Sequence, residues 1–362
     1  MTPLHRRIVE LIRRDGPIGL DRYMELCLAD PEHGYYMTRQ PFGARGDFIT
    51  SPDISQMFGE LIGVWMATVW RAMGAPAEIH LVELGPGRGT LMSDALRALR
   101  ALPGMTNAAR VHLVETSPTL REMQQAALVG APAPISWHET IDALPRAPLI
   151  IVANEFFDAL PIRQYLRNED GWRERRIGCD DEGRLQFTPG ELTEITGRDE
   201  APPGAIMETS PTSLAIIESL STRLVADGGA ALFIDYGHAF DGLGDTLQAM
   251  KAHQYVDVFS TPGEADLTAH VNFAALGEAA RKAGAATQGP VTQAAFLHAM
   301  GIATRAAALA RRATDDQKIM LAAGMARLTD TKNKRAMGRL FRVLAIRTPN
   351  LPALPGFDQE PQ

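Results

Sequence analysis

The chain has 362 residues, of which 45% are apolar, with two cysteines and a net charge of −7. That length suits one large domain with insertions, or two domains, and buries enough apolar surface to need no staples. The acidic balance argues against nucleic acid as a partner, and no apolar run reaches membrane-span length, which argues against an integral membrane protein. Cys27 and Cys179 form no C-x-x-C pair, so neither a disulfide framework nor a metal site is expected, and a cytoplasmic, reducing location is.

Along the chain, Leu4, Ile8, Leu11 and Ile12 predict an amphipathic first helix, its arginines interrupted by Glu10 and Asp15. Gly34-Tyr-Tyr36 and Pro41-Phe-Gly43 read as breakers. A helix is expected over 55–73, with Phe58, Leu61, Ile62, Trp65 and Val69 on one face. Strands follow at 79–83, 110–115, 148–153, 230–235 and 340–347, alternating with helices, the pattern of a doubly wound, mostly parallel sheet. Residues 163–208 interrupt that rhythm as a β-hairpin insertion turning at Asp180-Asp-Glu-Gly183. Residues 291–337, rich in Ala, Met and Arg, read as a helical cap. The expected division is an N-terminal helical region (1–75) that adds to the cofactor site, an α/β core (76–290 and 338–349) and the cap. Hairpin and cap, lying outside the strand–motif pairs, are expected to govern substrate access.

Three stretches carry chemistry. Glu83-Leu-Gly-Pro-Gly-Arg-Gly-Thr90 joins a strand to a helix, and Gly85, Gly87 and Gly89 allow close backbone approach to a ligand. Its G-x-G-x-G spacing differs from the dinucleotide fingerprint G-x-G-x-x-G. Glu115 closes the next strand, where a carboxylate can accept hydrogen bonds from both hydroxyls of a ribose. Thr50, Ser51, Asp53 and Ser55 are helix-start residues; capping does not explain Gly46-Asp47, nor Gln56 and Glu60, which stand four apart as a polar row that could face a cofactor. Asn154, Glu155 and Asp158 follow an apolar strand, with Phe156 and Phe157 to exclude water; carboxylates there suit a guanidinium, which they bind through paired hydrogen bonds. Asp235-Tyr-Gly237 repeats the arrangement one strand later, and Asp266-Leu-Thr-Ala-His-Val-Asn-Phe273 adds His270, either a structural residue or a base.

The glycine segment resembles the first motif of class I S-adenosylmethionine methyltransferases. Together with residues 46–60, Asn154–Pro161, Asp235–Gly237, Asp266–Val271 and Met337–Leu344, the chain resembles the MidA family over about residues 4–347. Asp53 and Asn272 depart from the Glu and Asp common there. The resemblance implies a class I methyltransferase-like (Rossmann-like) α/β fold and S-adenosyl-L-methionine as cofactor. It implies an enzyme, a protein-arginine N-methyltransferase acting on a core subunit of respiratory complex I (NADH dehydrogenase) during assembly. Catalysis falls to Asn154, Glu155, Asp158 and His270, and the cofactor to Thr50, Ser51, Gln56, Glu60, Glu83, the three glycines and Glu115. Two alternatives stay open: another protein or small-molecule acceptor, and a non-catalytic assembly chaperone that binds the nucleoside as a structural ligand.

Overall fold

The computed structural model describes residues 1–38, 49–333 and 335–357. They fall into two compact units, one of residues 1–38, 158–215 and 240–270, the other of 49–157, 216–239 and 271–357. Pro41-Phe-Gly43 and Gly46-Asp47 lie outside the described residues.

The larger unit is built on β1 (Ile79–Leu84), β2 (Ala109–Val114), β3 (Ile135–His138), β4 (Leu149–Asn154), β5 (Gly229–His238), β6 (Ala286–Thr292) and β7 (Phe341–Arg347). Their order across the sheet is β3-β2-β1-β4-β5-β7-β6. The first five are parallel, and β7 runs antiparallel to both of its neighbours. Every residue of β1 and β4 is buried, as central strands covered on both faces require. Strand order reverses between β1 and β4, and in doubly wound sheets the crevice beyond the carboxyl ends at that point is where ligands bind.

The expected helix is found at Gln56–Ala72, with Phe58, Leu61, Ile62, Trp65 and Val69 buried. It lies close against the helix Thr90–Leu99 because Gly63 has no side chain; a Cβ there would stand 2.6 Å from the Ala95 carbonyl oxygen. The segment expected as a cap forms helices Gln293–Ala299, Ile302–Ala310 and Asp315–Thr329. Phe296, Leu297, Ile302 and Leu328 belong to the same apolar core as β1 and β5, so this segment is part of the unit rather than a detachable lid.

A row of three histidines crosses this sheet. His80 Nδ1 is 2.8 Å from His112 Nε2, and His112 Nδ1 is 2.8 Å from His138 Nε2. The middle ring, His112, can donate one of these bonds and accept the other only while it is neutral. Burial and the two neighbouring rings push His112 down to about 4, and burial lowers His80 and His138. A base with a depressed folded pKa gives stability that is present above its unfolded value, about 6.5, and is lost as pH falls toward the folded one. The urea midpoint should therefore drop between pH 7 and pH 5, and by less in His112→Gln; an equal drop in both proteins would remove the histidine row as its cause.

In the smaller unit, strand Gly171–Cys179 pairs antiparallel with Arg163–Asn168, Leu185–Thr193 and Ile18–Gly19. The expected hairpin is thus the centre of a larger sheet. Gly183, at φ +80°, makes its turn, with its N–H on the Asp180 carbonyl. The first helix, Pro3–Asp15, is capped by the Thr2 hydroxyl and buries Leu4, Ile8, Val9 and Ile12 against Tyr23, Met24, Ile177 and Leu185. The division foreseen for residues 1–75 is thereby redrawn: 1–38 pack with the hairpin, and 49–75 with the sheet of the larger unit. Among the described residues no helix is long and apolar enough to cross a membrane.

Candidate functional site

Beyond β1 the chain turns through Gly85, Gly87 and Gly89, all with left-handed backbone (φ +59°, +51° and +80°), and enters the helix Thr90–Leu99. Only glycine adopts three such conformations at little cost. Gly85 faces a second constraint, because a Cβ on it would come within 2.8 Å of the Phe156 ring. The glycine turn and the carboxylate turn after β4 are therefore packed on each other at the switch point.

Glu83, just before the turn, is buried; Met92 N–H donates to its carboxyl, and Oε2 has no hydrogen-bond partner. Burial pushes this carboxyl up to about 8. A raised folded pKa gives stability that is complete below the unfolded value and is lost as pH rises through the folded one. Relative to Glu83→Gln, the ligand-free protein should lose thermal stability from about pH 5 to pH 8 and beyond. Parallel pH profiles for the two proteins would contradict this.

Glu115, immediately after β2, accepts from Ser117 N–H at Oε1 (2.8 Å) and from Gln124 Nε2 at Oε2 (3.1 Å). A carboxylate has about four acceptor positions, so these two bonds orient it without using it up. Gln124 also donates to the Gly87 carbonyl at 2.8 Å, and its own carbonyl accepts from Trp137 Nε1 at 2.9 Å. This fully buried amide ties Glu115 to the glycine turn, a role that sequence reading missed. The available signal was a polar residue one turn after Leu120 on the buried stripe of the helix Pro118–Ala127.

At the end of β4, Glu155 holds left-handed backbone (φ +52°), which non-glycine residues occupy at a cost and chiefly where surroundings enforce it. Glu155 Oε1 accepts from Ser51 N–H and Asn154 Nδ2, each at 2.9 Å. Asn154 Oδ1 is buried without a hydrogen-bond partner. Ser51 is fully buried, and its hydroxyl lies 3.3 Å from Gln293 Oε1, which brings the first residue of the Gln293–Ala299 helix to this carboxylate.

The remaining expected residues divide. Thr50 Oγ1 lies 3.3 Å from Asp53 Oδ2, and Thr90 Oγ1 lies 3.4 Å from Asp53 Oδ1, linking this segment to the glycine turn. The expected polar row of Gln56 and Glu60 does not form. Gln56 is exposed, whereas buried Glu60 accepts two bonds from Arg305 (2.7 and 2.9 Å) and one from Arg97 (3.2 Å). A carboxylate taken from water must be matched by such partners, and here it fastens the Ile302–Ala310 helix. Asp158 and His270 belong to the smaller unit. There the Asp158 carbonyl accepts from Ala269 N–H, and Thr246 Oγ1 accepts from His270 N–H at 2.9 Å. The Tyr36 hydroxyl donates to Asp266 at 2.9 Å, and burial, with the Asp266 and Asp158 charges, holds that phenol well above its ordinary value. Among the described residues no cluster suits a metal ion.

The residues present fit a cationic nucleoside cofactor: a left-handed glycine cradle, an oriented carboxylate at Glu115, and the partnerless oxygens of Glu83 and Asn154. Comparison with known proteins agrees. The family described as "Putative S-adenosyl-L-methionine-dependent methyltransferase" matches residues 61–291. A Danio rerio protein named "Protein arginine methyltransferase NDUFAF7, mitochondrial" is 40% identical over 83% of this chain and 77% of its own length. The Homo sapiens protein of that name is 37% identical over 96% of this chain and 83% of its own. A crystal structure of a COG1565 superfamily member from Burkholderia thailandensis, bound to S-adenosyl-homocysteine, superposes with a TM-score of 0.85 at 29% identity, covering 99% of this chain and 95% of that one. These relatives correct one expectation: they carry mitochondrial names, against the cytoplasmic location read from the sequence. Unpaired cysteines were a poor guide, because they indicate a reducing environment and not which compartment provides it. The chain belongs to the S-adenosyl-L-methionine-dependent methyltransferase family, and its cofactor is S-adenosyl-L-methionine.

Proposed function

We propose that this methyltransferase modifies an arginine side chain of a protein, a core subunit of respiratory complex I during its assembly. The names of the curated relatives support the arginine acceptor. The observation that carries the reading here is Glu155: a carboxylate pinned by two donors, on a turn packed against the glycine cradle through Phe156. Bound S-adenosylmethionine would supply a methyl group on a sulfonium: the carbon–sulfur electron pair would leave with sulfur, the acceptor nitrogen would take the carbon, and the proton that this nitrogen gives up would pass to solvent. Glu115 and the glycine turn hold the nucleoside, with Glu83, Thr50 and Ser51 lining the same segment. Glu155 takes the guanidinium through charge-assisted hydrogen bonds, which fix its plane and draw positive charge away from the attacking nitrogen. Asn154 Oδ1 accepts a further N–H. Phe156 and Phe157 lower the local dielectric and strengthen both contacts.

Holding the partners in line can supply up to about 7–11 kcal/mol of barrier lowering, so the chain needs no covalent intermediate of its own. The test is transfer of labelled methyl from S-adenosylmethionine to an arginine peptide of the complex I subunit and to its lysine counterpart. Label on the arginine peptide alone is the expected result; equal labelling of both would overturn the acceptor assignment.

A further inference from the structure

Asp235 sits inside β5, fully buried, and neither the cofactor nor the acceptor needs to reach it. Its Oδ2 accepts from the backbone N–H groups of Phe156 (3.1 Å) and Phe157 (3.0 Å). Oδ1 accepts from Tyr236 N–H at 2.8 Å, which fixes the carboxylate's rotation. Phe156 and Phe157 belong to no helix or strand, so no ladder serves their N–H groups. A buried N–H left without an acceptor costs about as much as a lost hydrogen bond or more. Directly before them stands Glu155 with its left-handed backbone, its own N–H on the Ile234 carbonyl at 2.9 Å. The residue in the costly conformation is thus held at its N–H by β5 backbone and, through the next two N–H groups, by a β5 side chain. Phe157 is further fixed edge-on against Phe233 of the same strand, with ring centroids 5.3 Å apart.

We propose that Asp235 is a positioning residue for methyl transfer: it clamps the turn after β4 so that Glu155 keeps its left-handed conformation and presents its carboxylate to the acceptor. The inference rests on the role proposed for Glu155. Asp235 touches neither reactant. It acts by making any other path of the turn bury two unpaired N–H groups. An asparagine at 235 keeps the size but offers one oxygen where the carboxylate uses two, so the Phe156–Phe157 bonds and the Tyr236 bond compete for it.

The experiment has two independent readouts on the full chain. First, amide hydrogen exchange: in the parent, Phe156 and Phe157 should exchange as slowly as the amides of β4, and in Asp235→Asn at least about tenfold faster. Loop-like exchange in the parent would overturn the clamp outright, even if the variant did not fold. Second, single-turnover methyl transfer to the arginine peptide by the parent, Asp235→Asn, Glu155→Gln and the double variant. The rate in Asp235→Asn should fall about tenfold with acceptor KM little changed, and the double variant should be no slower than Glu155→Gln alone, because residues acting as one unit are not additive. Fully additive losses, or a loss in Asp235→Asn with none in Glu155→Gln, would show that Asp235 does not act through Glu155. Normal rates in Glu155→Gln with a protected turn would instead count against the catalytic role of Glu155.

Discussion

Glu155→Gln is expected to slow methyl transfer about tenfold to a hundredfold while leaving cofactor affinity unchanged. The amide keeps the size of the side chain and can still accept from Ser51 N–H or Asn154 Nδ2, so the turn should survive. What disappears is the charge that pairs with a guanidinium, and hydrogen bonds to charged groups are worth about 1.5–3 kcal/mol. At about 1.4 kcal/mol per decade that gives the stated range. Calorimetric titration with S-adenosylhomocysteine should give the parent affinity, since the glycine turn and Glu115 are untouched. Equal single-turnover rates for both proteins would reduce Glu155 to a structural residue.

Gly85→Ala should weaken S-adenosylhomocysteine binding by about tenfold or more, a loss of at least about 1.4 kcal/mol. Two effects act together. Left-handed backbone costs an L-residue about 1–2 kcal/mol, and the new Cβ would meet the Phe156 ring at 2.8 Å. Gly85 or Phe156 must move, and either movement deforms the cradle on the cofactor's side of the switch point. The far-UV spectrum should remain that of the parent, because β1 on one side and the helix Thr90–Leu99 on the other are held by the sheet core. Unchanged affinity in a folded Gly85→Ala protein would place the cofactor elsewhere.

Much of the fold could be read from residue pattern. The five strands expected from apolar runs are present, with ends shifted by a residue or so, except that the fourth continues to His238. β3 and β6 escaped notice for different reasons. Ile135-Ser-Trp-His138 is too short to show alternation, and β6 carries Gly289-Pro290, which reads as a turn but is tolerated at the edge of a sheet. Within the site, glycine spacing and strand-end carboxylates were legible because they are local in sequence. Gln124 and Gln293 were not, since each acts across the fold on residues far along the chain. Glu60 shows the converse: helical spacing placed it beside Gln56, but only the fold shows that Arg305 claims its carboxylate.

An arginine nitrogen receives the methyl group in the proposed reaction, and tandem mass spectrometry locates that methyl directly. The purified protein is incubated with S-adenosylmethionine bearing an isotopically labelled methyl and with the complex I core subunit, and the labelled residue is located by fragmentation. Label is expected on an arginine side chain, reduced in Glu155→Gln and absent when S-adenosylhomocysteine saturates the site. Label on any other residue, or none from a protein that binds the cofactor normally, would contradict it.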